Sequence, residues 1–398
     1  MNNLTTDVAI IGGGLAGATT AAMLGRAGHD AMLIEPHMEQ RPEFRCEKLD
    51  ESQLALLRLT GLADDVLPHA CVDGQVWVVR YGRLVDRKPS ARAGIMYHDL
   101  VNAVRQQIPA SVRHVATKVT AIAGNAARPR ITLATGDEVE AKLVVLANGL
   151  NPGLRETLEI KRETLSPCHS ISIGFDMKPD GDQPFAFPAL TVFPERPDQS
   201  MAYLTVFPVQ GGMRANLFVY WGMEDTRLRK FRHQPREALL DLIPGLTQFT
   251  GPFTIDGQVS IRPVDLVRVS TPERLGIVLV GDAYSTSCPA AGTGVNKVLT
   301  DVQRLCSTYV PAWLGKDAID ATDVADFYAD PVKVQCESDS LQKALWLRRV
   351  STGTSMGLRS WRGARFVAQS ARGHLREIKR RLPVATHGKA ATDIMGRA

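Results

Sequence analysis

The stretch DVAIIGGGLAGATTAAMLGRAGHDAMLIE, residues 7–35, decides how the rest of the chain is read. Its first residues, DVAII (7–11), form a short apolar run of strand length, and AMLIE (31–35) forms a second. Between them lie Gly12-Gly13-Gly14-Leu15-Ala16-Gly17 and a small-residue stretch of helical length that stops at Gly28. This is the strand, turn, helix and strand that open a parallel sheet. In the spacing Gly12-x-Gly14-x-x-Gly17 the first glycine permits a tight turn, the second keeps a Cβ out of the path of a pyrophosphate, and the third lets helix and strand pack closely. Phosphate oxygens then meet converging amides at the helix start, beside Leu15 and Ala16. Glu35 ends the second strand 21 residues past Gly14, where a carboxylate accepts both ribose hydroxyls of an adenosine and disfavours a 2′-phosphate. A dinucleotide site follows.

A second glycine-rich stretch, GIVLVGDAYSTSCPAAGTGVNKVLTD (276–301), lies far along the chain. An apolar strand ends in Gly281-Asp282, which directs the aspartate toward a cofactor hydroxyl. Pro289 and Gly292-Thr293-Gly294 then let the loop and the next helix start, with Val295 and Asn296, lie against a flat ring. Amides there stabilise negative charge. Two such segments at this separation suggest two contacts along one extended dinucleotide.

The 398 residues suffice for two domains, because single cores stop growing at roughly 250–300 residues. Between the two glycine-rich segments the pattern changes. SISIGFDM, PALTVF, AYLTVF and ANLFVYWG alternate apolar with polar or small residues and read as antiparallel strands, as do QVWVV and RLVDR on either side of Tyr81-Gly82. A helix near 235–243 and a strand at 256–262 complete that region. The chain is expected to divide into dinucleotide-binding segments 1–75, 98–162 and 269–335, substrate-domain strands 76–97 and 163–268, and a basic helical region 336–398.

Composition removes several function classes. The net charge is +5, yet residues 341–398 hold thirteen Lys and Arg against Glu377 and Asp393, so the body is acidic and only the tail is basic. Nucleic acid is not expected as a partner, since the basic residues form no groove with base-stacking side chains. HLREIKRRLP reads as the polar side of a helix packed on the body, and transient contact of this tail with an anionic membrane is an open alternative. No apolar run is long enough to span a bilayer and no secretory signal is evident, so a cytoplasmic enzyme is expected. The six cysteines are scattered and the histidines follow no ligand spacing, so no metal site is expected.

Residues 8–35, Asn148–Arg155 and 276–301 together resemble the three signature segments of the para-hydroxybenzoate hydroxylase-like, group A FAD-dependent monooxygenases, over roughly residues 6–335. The resemblance implies an α/β fold, with an FAD-binding domain of the GR2-type, Rossmann-like class interrupted by an antiparallel β-sheet substrate domain and followed by a C-terminal helical region. It implies FAD held by Gly12, Gly14, Leu15, Ala16, Gly17, Glu35, Arg45, Asn148, Asp282, Pro289, Gly292, Gly294, Val295 and Asn296. Arg45 matches an arginine near the pyrophosphate or the mobile flavin; its alternative is a solvated helix cap. NADPH or NADH is implied as electron donor and molecular oxygen as co-substrate. A flavin C4a-hydroperoxide would then hydroxylate or epoxidise an electron-rich, aromatic or polyketide-like small molecule in a monomer or homodimer.

Three departures stand out. The middle segment has Asn148-Gly149 where the family usually has Asp-Gly, Tyr97-His98 stand where an arginine is common, and Tyr284 stands where a histidine follows Gly-Asp-Ala. His98, Tyr220 and Pro289 are the candidate catalytic groups, with Arg214 a further pocket candidate. Each of these side chains has a bland alternative: His98 as a helix-start residue, Tyr220 as core, Arg214 as a solvated strand residue. A double-bond reductase of the geranylgeranyl reductase type, a flavin-dependent halogenase and a non-catalytic flavoprotein scaffold share the same fold signals.

Overall fold

The strand Asn3–Ile11 lies between Ala31–Ile34 and Glu138–Leu146 and runs parallel to both, as the opening glycine-rich unit requires. These elements belong to a computed structural model that describes residues 3–123, 128–270 and 273–381. Arg113–Val115 adds a parallel strand outside Ala31–Ile34. The far edge of Glu138–Leu146 is shared: its first half takes Arg130–Leu133 antiparallel, and its last half takes Ile277–Leu279 parallel. The strands carry unbroken apolar runs because both faces are covered; Val8, Ile10, Leu143, Val145 and Val278 are fully buried.

The helix Leu15–Arg26 returns over this sheet at close range. A Cβ on Gly17 would stand 1.8 Å from the carbonyl oxygen of Gly12, and one on Gly12, at φ +99°, would stand 2.7 Å from that of Ala147. Only glycine fits either place. The small-residue composition of the helix is therefore a packing requirement that brings three backbone segments together.

The second sheet has the order Phe253–Val269, Arg162–Pro179, Gly212–Val219, Met201–Val209, Leu190–Val192, Gln75–Arg80 and Arg83–Pro89. All neighbours are antiparallel except Leu190–Val192 with Gln75–Arg80. Alternation divides its faces. Ile171, Ile173, Phe175, Leu204, Val206, Leu217 and Val219 point to one side, where Leu228 and Phe231 of the helix Thr226–His233 and Leu239 and Leu242 of Pro235–Leu242 bury them. Ser172, Arg214, Asn216, Phe218, Tyr203 and Thr205 occupy the opposite face, across paired strands.

The structure extends the sequence reading at several points. The strand expected at 256–262 spans Phe253–Val269 and pairs with Arg162–Pro179 from end to end, in a ribbon interrupted by register shifts at Thr164/Ser166, Ser166/Ser170 and Gly174/Asp176. Bulges absorb the mismatches that make the alternation hard to read. The helix Glu51–Leu59 begins where Asp50 caps it by accepting from the Ser52 and Gln53 amides, and the preceding Cys46–Leu49 is a strand paired with Ala93–Met96. The expected boundary after 335 falls inside one continuous helix, Pro331–Thr352. HLREIKRRLP was expected to pack on the body; the helix Met356–Arg381 leans on the sheet edge through one side only, and residues beyond 381 lie outside the described ones.

Pro331–Thr352 joins the helix Gly294–Arg304 through a buried charge network. Lys333 Nζ lies 2.6 Å from Asp301 Oδ1, and both side chains are almost wholly buried. Asp301 Oδ2 accepts the Gly281 amide at 2.9 Å. Lys297 Nζ lies 3.0 Å from Glu337 Oε2, which also accepts from the Ser285 hydroxyl at 2.6 Å. Removing one ion from such a pair strands its partner in a dry setting. Lys333→Met is therefore expected to destabilise the fold by about 3–5 kcal/mol, seen as a fall in the thermal unfolding midpoint, whereas exposed Lys178→Met leaves the midpoint within experimental error.

Candidate functional site

The expected cofactor residues begin at the glycine turn after the first strand. Glu35 Oε2 accepts the Gly13 amide at 2.8 Å, and its Oε1 accepts the His37 amide at 3.1 Å. Arg105, the last residue of the helix Tyr97–Arg105, donates Nε to the Gly13 carbonyl at 2.8 Å and a terminal nitrogen to that of His37 at 2.8 Å. It ties the glycine turn to the Glu35 segment. Nothing in the sequence singled it out, because its partners are backbone carbonyls 92 and 68 residues away.

Gly14 begins the helix Leu15–Arg26 with no side-chain cap and no acidic residue in the first turn. Such a start leaves amides and the positive end of the helix dipole for an anion. The Leu15 amide is 3.2 Å from the Tyr97 hydroxyl, which fixes the neighbouring helix against this turn. Leu15 and Ala16 are buried in the packing beneath it.

The Arg45 guanidinium lies over the Tyr97 ring at 4.4 Å. Burial opposes its charge, but Tyr97, Asp282, Glu47 and Glu43 outweigh that and raise its pKa. Glu47 is pushed up to about 7 by burial, against the pull of Arg45 and with repulsion from Asp282 and Glu43. The sequence reading named Arg45 and Asp282 but passed over Glu47, which the small sheet of Cys46–Leu49 and Ala93–Met96 sets between them. The Asp282 carbonyl accepts Arg162 at 3.0 Å, and the adjacent Gly281 amide is held by Asp301.

The far end is the loop after the second glycine-rich strand. Pro289–Ala291 makes a single tight turn, Gly292 takes φ +63°, and Gly294–Arg304 starts with no side-chain cap at Thr293. Both sides hold this loop. Tyr203 of the antiparallel sheet donates its hydroxyl to the Ala290 carbonyl at 2.7 Å, and Gln53 Nε2 donates to the Gly292 carbonyl at 3.0 Å. Asn296 Nδ2 donates to Ser52 Oγ at 2.9 Å. Val295 is buried with Leu15, Leu49 and Leu54, so it shapes the helix start from below.

The remaining expected residues separate. Asn148 donates Nδ2 to the Asn151 carbonyl at 3.2 Å and leaves Oδ1 buried without a partner. Buried Arg155 closes that turn by donating to the Gly149 and Leu150 carbonyls at 3.0 and 3.1 Å. Tyr220 lies behind the Pro289 loop among Phe218, Cys288 and Ala344, edge-on to His169 at 6.0 Å, and burial pushes its hydroxyl pKa well up. His98 has Nε2 3.5 Å from Asp99 and a buried Nδ1 without a partner. Arg214 is not solvated: it is buried, pairs with Asp176 at 2.8 Å and packs on Phe44. The phenylalanines divide as well, since Phe185 and Phe187 stack at 5.1 Å on the helix-covered side, while Phe218 meets Tyr203 at 5.1 Å beside the loop. Among the described residues all six cysteines are free and no group of three or more His, Cys, Asp or Glu is placed to hold a metal.

Two uncapped helix starts follow the two glycine-rich turns, Glu35 holds the Gly13 amide, and Arg45 lies on the Tyr97 ring. Residues 5–316 match the family described as FAD binding domain, and the chain belongs to that family, the FAD-dependent aromatic hydroxylases of group A. It is an FAD-dependent monooxygenase. It is 25% identical over 337 residues to 3-demethoxyubiquinol 3-hydroxylase of Escherichia coli (strain K12), covering 78% of this chain and 81% of that one. It is 27% identical over 338 residues to 3-(3-hydroxy-phenyl)propionate/3-hydroxycinnamic acid hydroxylase 2 of Burkholderia vietnamiensis (strain G4 / LMG 22486), covering 76% of this chain and 56% of that longer one. The crystal structure of p-nitrophenol 4-monooxygenase PnpA from Pseudomonas putida DLL-E4 superposes with a TM-score of 0.75 at 17% identity, over 95% of this chain and 97% of that one, which establishes the shared fold.

Two outcomes are expected. Asp282→Ala weakens FAD binding by at least about tenfold in a fluorescence titration, as loss of a hydrogen bond to a charged group implies. Glu47 has a raised folded pKa, so its stabilising contribution is complete below its ordinary value of 4.5 and is lost as pH climbs through about 7. Glu47→Gln should therefore match the wild type in thermal stability near pH 4.5 and exceed it above pH 7, by about 3 kcal/mol. Parallel pH curves would contradict the placement of Glu47.

Proposed function

We propose that this monooxygenase hydroxylates or epoxidises an electron-rich, aromatic or polyketide-like small molecule, with NADPH or NADH as electron donor and molecular oxygen as co-substrate. The observation that carries this reading is the face of the antiparallel sheet turned to the Pro289–Gly294 loop. It offers Ser172, Asn216, Thr205, Tyr203 and Phe218 rather than the aliphatic residues of the opposite face. The Ser172 hydroxyl is buried without a partner. A ring packed on Phe218 with a polar substituent toward Ser172 or Asn216 satisfies both kinds of surface. Relatives named for phenolic and quinol substrates support the same class.

In this reading segments 1–75, 98–162 and 269–335 serve the cofactor, 76–97 and 163–268 serve the substrate, and 336–398 forms the basic C-terminal region. Gly12, Gly14, Leu15, Ala16 and Gly17 receive the pyrophosphate and Glu35 the adenosine ribose. Arg45, Asn148 and Asp282 hold the middle, and Pro289, Gly292, Gly294, Val295 and Asn296 border the ring. Bound FAD supplies the activation of oxygen and its transfer. Overall, one C–H bond, O₂, NAD(P)H and a proton become C–OH, water and NAD(P)⁺. The protein orients the ring, excludes water and moves protons. Pro289 bounds the reacting face. Tyr220, kept protonated by burial, donates a hydrogen bond, and His98 accepts or returns a proton at its unpartnered Nδ1. The enzyme works in the cytoplasm as a monomer or homodimer, with transient membrane contact through its basic C-terminal region. Among the described residues no helix is long and apolar enough to cross a membrane.

The test mixes FAD-loaded protein anaerobically with NADH or NADPH, follows bleaching of the oxidised flavin, then admits labelled oxygen with a panel of phenols and hydroxyquinones. Bleaching by one nucleotide and one labelled oxygen atom in a product are expected. A product formed without labelled oxygen, or reduction of a substrate double bond under anaerobic conditions, would overturn the proposal.

A further inference from the structure

We infer that the helix Met356–Arg381 docks this enzyme onto an anionic membrane surface through a defined apolar stripe. The inference deepens the membrane contact proposed above, and rests on it, by naming the surface and the lipid charge it requires. One side of the helix is committed to the protein. Phe366 meets the Tyr81 ring edge-on at 5.2 Å, Gln369 accepts Arg80, and Arg376 pairs with Asp86. A Cβ on Gly373 would stand 2.0 Å from the Val85 carbonyl, so the helix backbone lies directly on the strand Arg83–Pro89. Arg362 ties the helix to its predecessor by donating to the Val350 and Gly353 carbonyls at 2.9 and 2.8 Å.

Among the described residues nothing covers the other side. Ala364, Val367, Ala368, Ala371, Leu375 and Ile378 are all exposed and recur at helical spacing, so they form one stripe along the helix. Val367, Leu375 and Ile378 are 64%, 59% and 56% exposed, values unusual for three large aliphatics on one face. Arg372 and Lys379 fall along the margin of that stripe by the same spacing. Near the start of the helix, Trp346 is 46% exposed and stands edge-on to Trp361 at 5.5 Å, an aromatic pair suited to the headgroup level.

Charge selects the occupant. Across Met356–Arg381 there are eight Lys and Arg and one acidic residue, Glu377. Two copies of this helix set stripe to stripe would bring those cations together, which opposes a second copy of the chain. An anionic bilayer attracts the same cations while its acyl boundary accepts the aliphatics, the arrangement that holds a helix in the plane of an interface. The helix is too polar overall to insert across.

The experiment is co-sedimentation of the FAD-loaded full chain with vesicles of phosphatidylcholine alone and of phosphatidylcholine mixed with phosphatidylglycerol. Binding to the mixed vesicles is expected, weakening as salt is added. Val367→Ser, Leu375→Ser and Ile378→Ser combined should lower it by at least about tenfold, with flavin content and secondary structure unchanged. Arg372→Gln with Lys379→Gln, which keeps the apolar stripe, should lower binding to mixed vesicles by about tenfold and leave the phosphatidylcholine baseline where it was. Wild-type protein that stays in the supernatant with both vesicles would overturn the inference. So would binding that neither variant reduces, or a triple variant whose only change is from dimer to monomer by light scattering. None of these readouts depends on turnover, so failure here and failure of the monooxygenase proposal are told apart.

Discussion

The contact of Gly17 with the Gly12 carbonyl is the constraint on which the molecule is built. It sets the helix Leu15–Arg26 against the first strand at a distance no other residue permits, and Gly12 in turn abuts Ala147 at the end of the neighbouring parallel strand. Three backbone segments remote in sequence converge there. The Gly14 turn, the Asn148–Arg155 turn and the Gly281-Asp282 turn all lie at the same edge of the sheet because their strands are neighbours and parallel, with their C-terminal ends on one side.

The second glycine-rich loop is held in place from three directions. The antiparallel sheet holds it through Tyr203, the capped helix Glu51–Leu59 through Gln53 and Ser52, and the C-terminal helix Pro331–Thr352 through Lys333 and Asp301. These are polar anchors, directional contacts that specify a position rather than merely favouring compaction. The charge network offers no large gain in stability over a well-packed apolar core; its physical value lies in fixing the one arrangement in which Asp301 reaches both Lys333 and the Gly281 amide.

The charges around Arg45 are mixed. Arg45 stays charged among Glu43, Glu47, Asp282 and the Tyr97 ring, while Glu47 is driven by burial toward neutrality near physiological pH.

The sequence by itself determined the parallel unit, the two glycine-rich turns, the antiparallel strands and the close packing that Gly12 and Gly17 allow. Each of these leaves a local signature: a period of two, an apolar run ended by glycine, or a fixed short spacing. Only the tertiary structure decided which groups meet. Arg105 acts on carbonyls far away in the chain, Glu47 acquires its raised pKa from burial, opposed by Arg45 and reinforced by Asp282, and Arg214 turns from an expected surface residue into a buried partner of Asp176. Helix boundaries at Glu51 and the continuity of Pro331–Thr352 through residue 335 were likewise set by a cap and a buried lysine rather than by propensity. The physical reason is common to all of them. Burial and long-range pairing depend on which surfaces come together, and no window of local sequence carries that information.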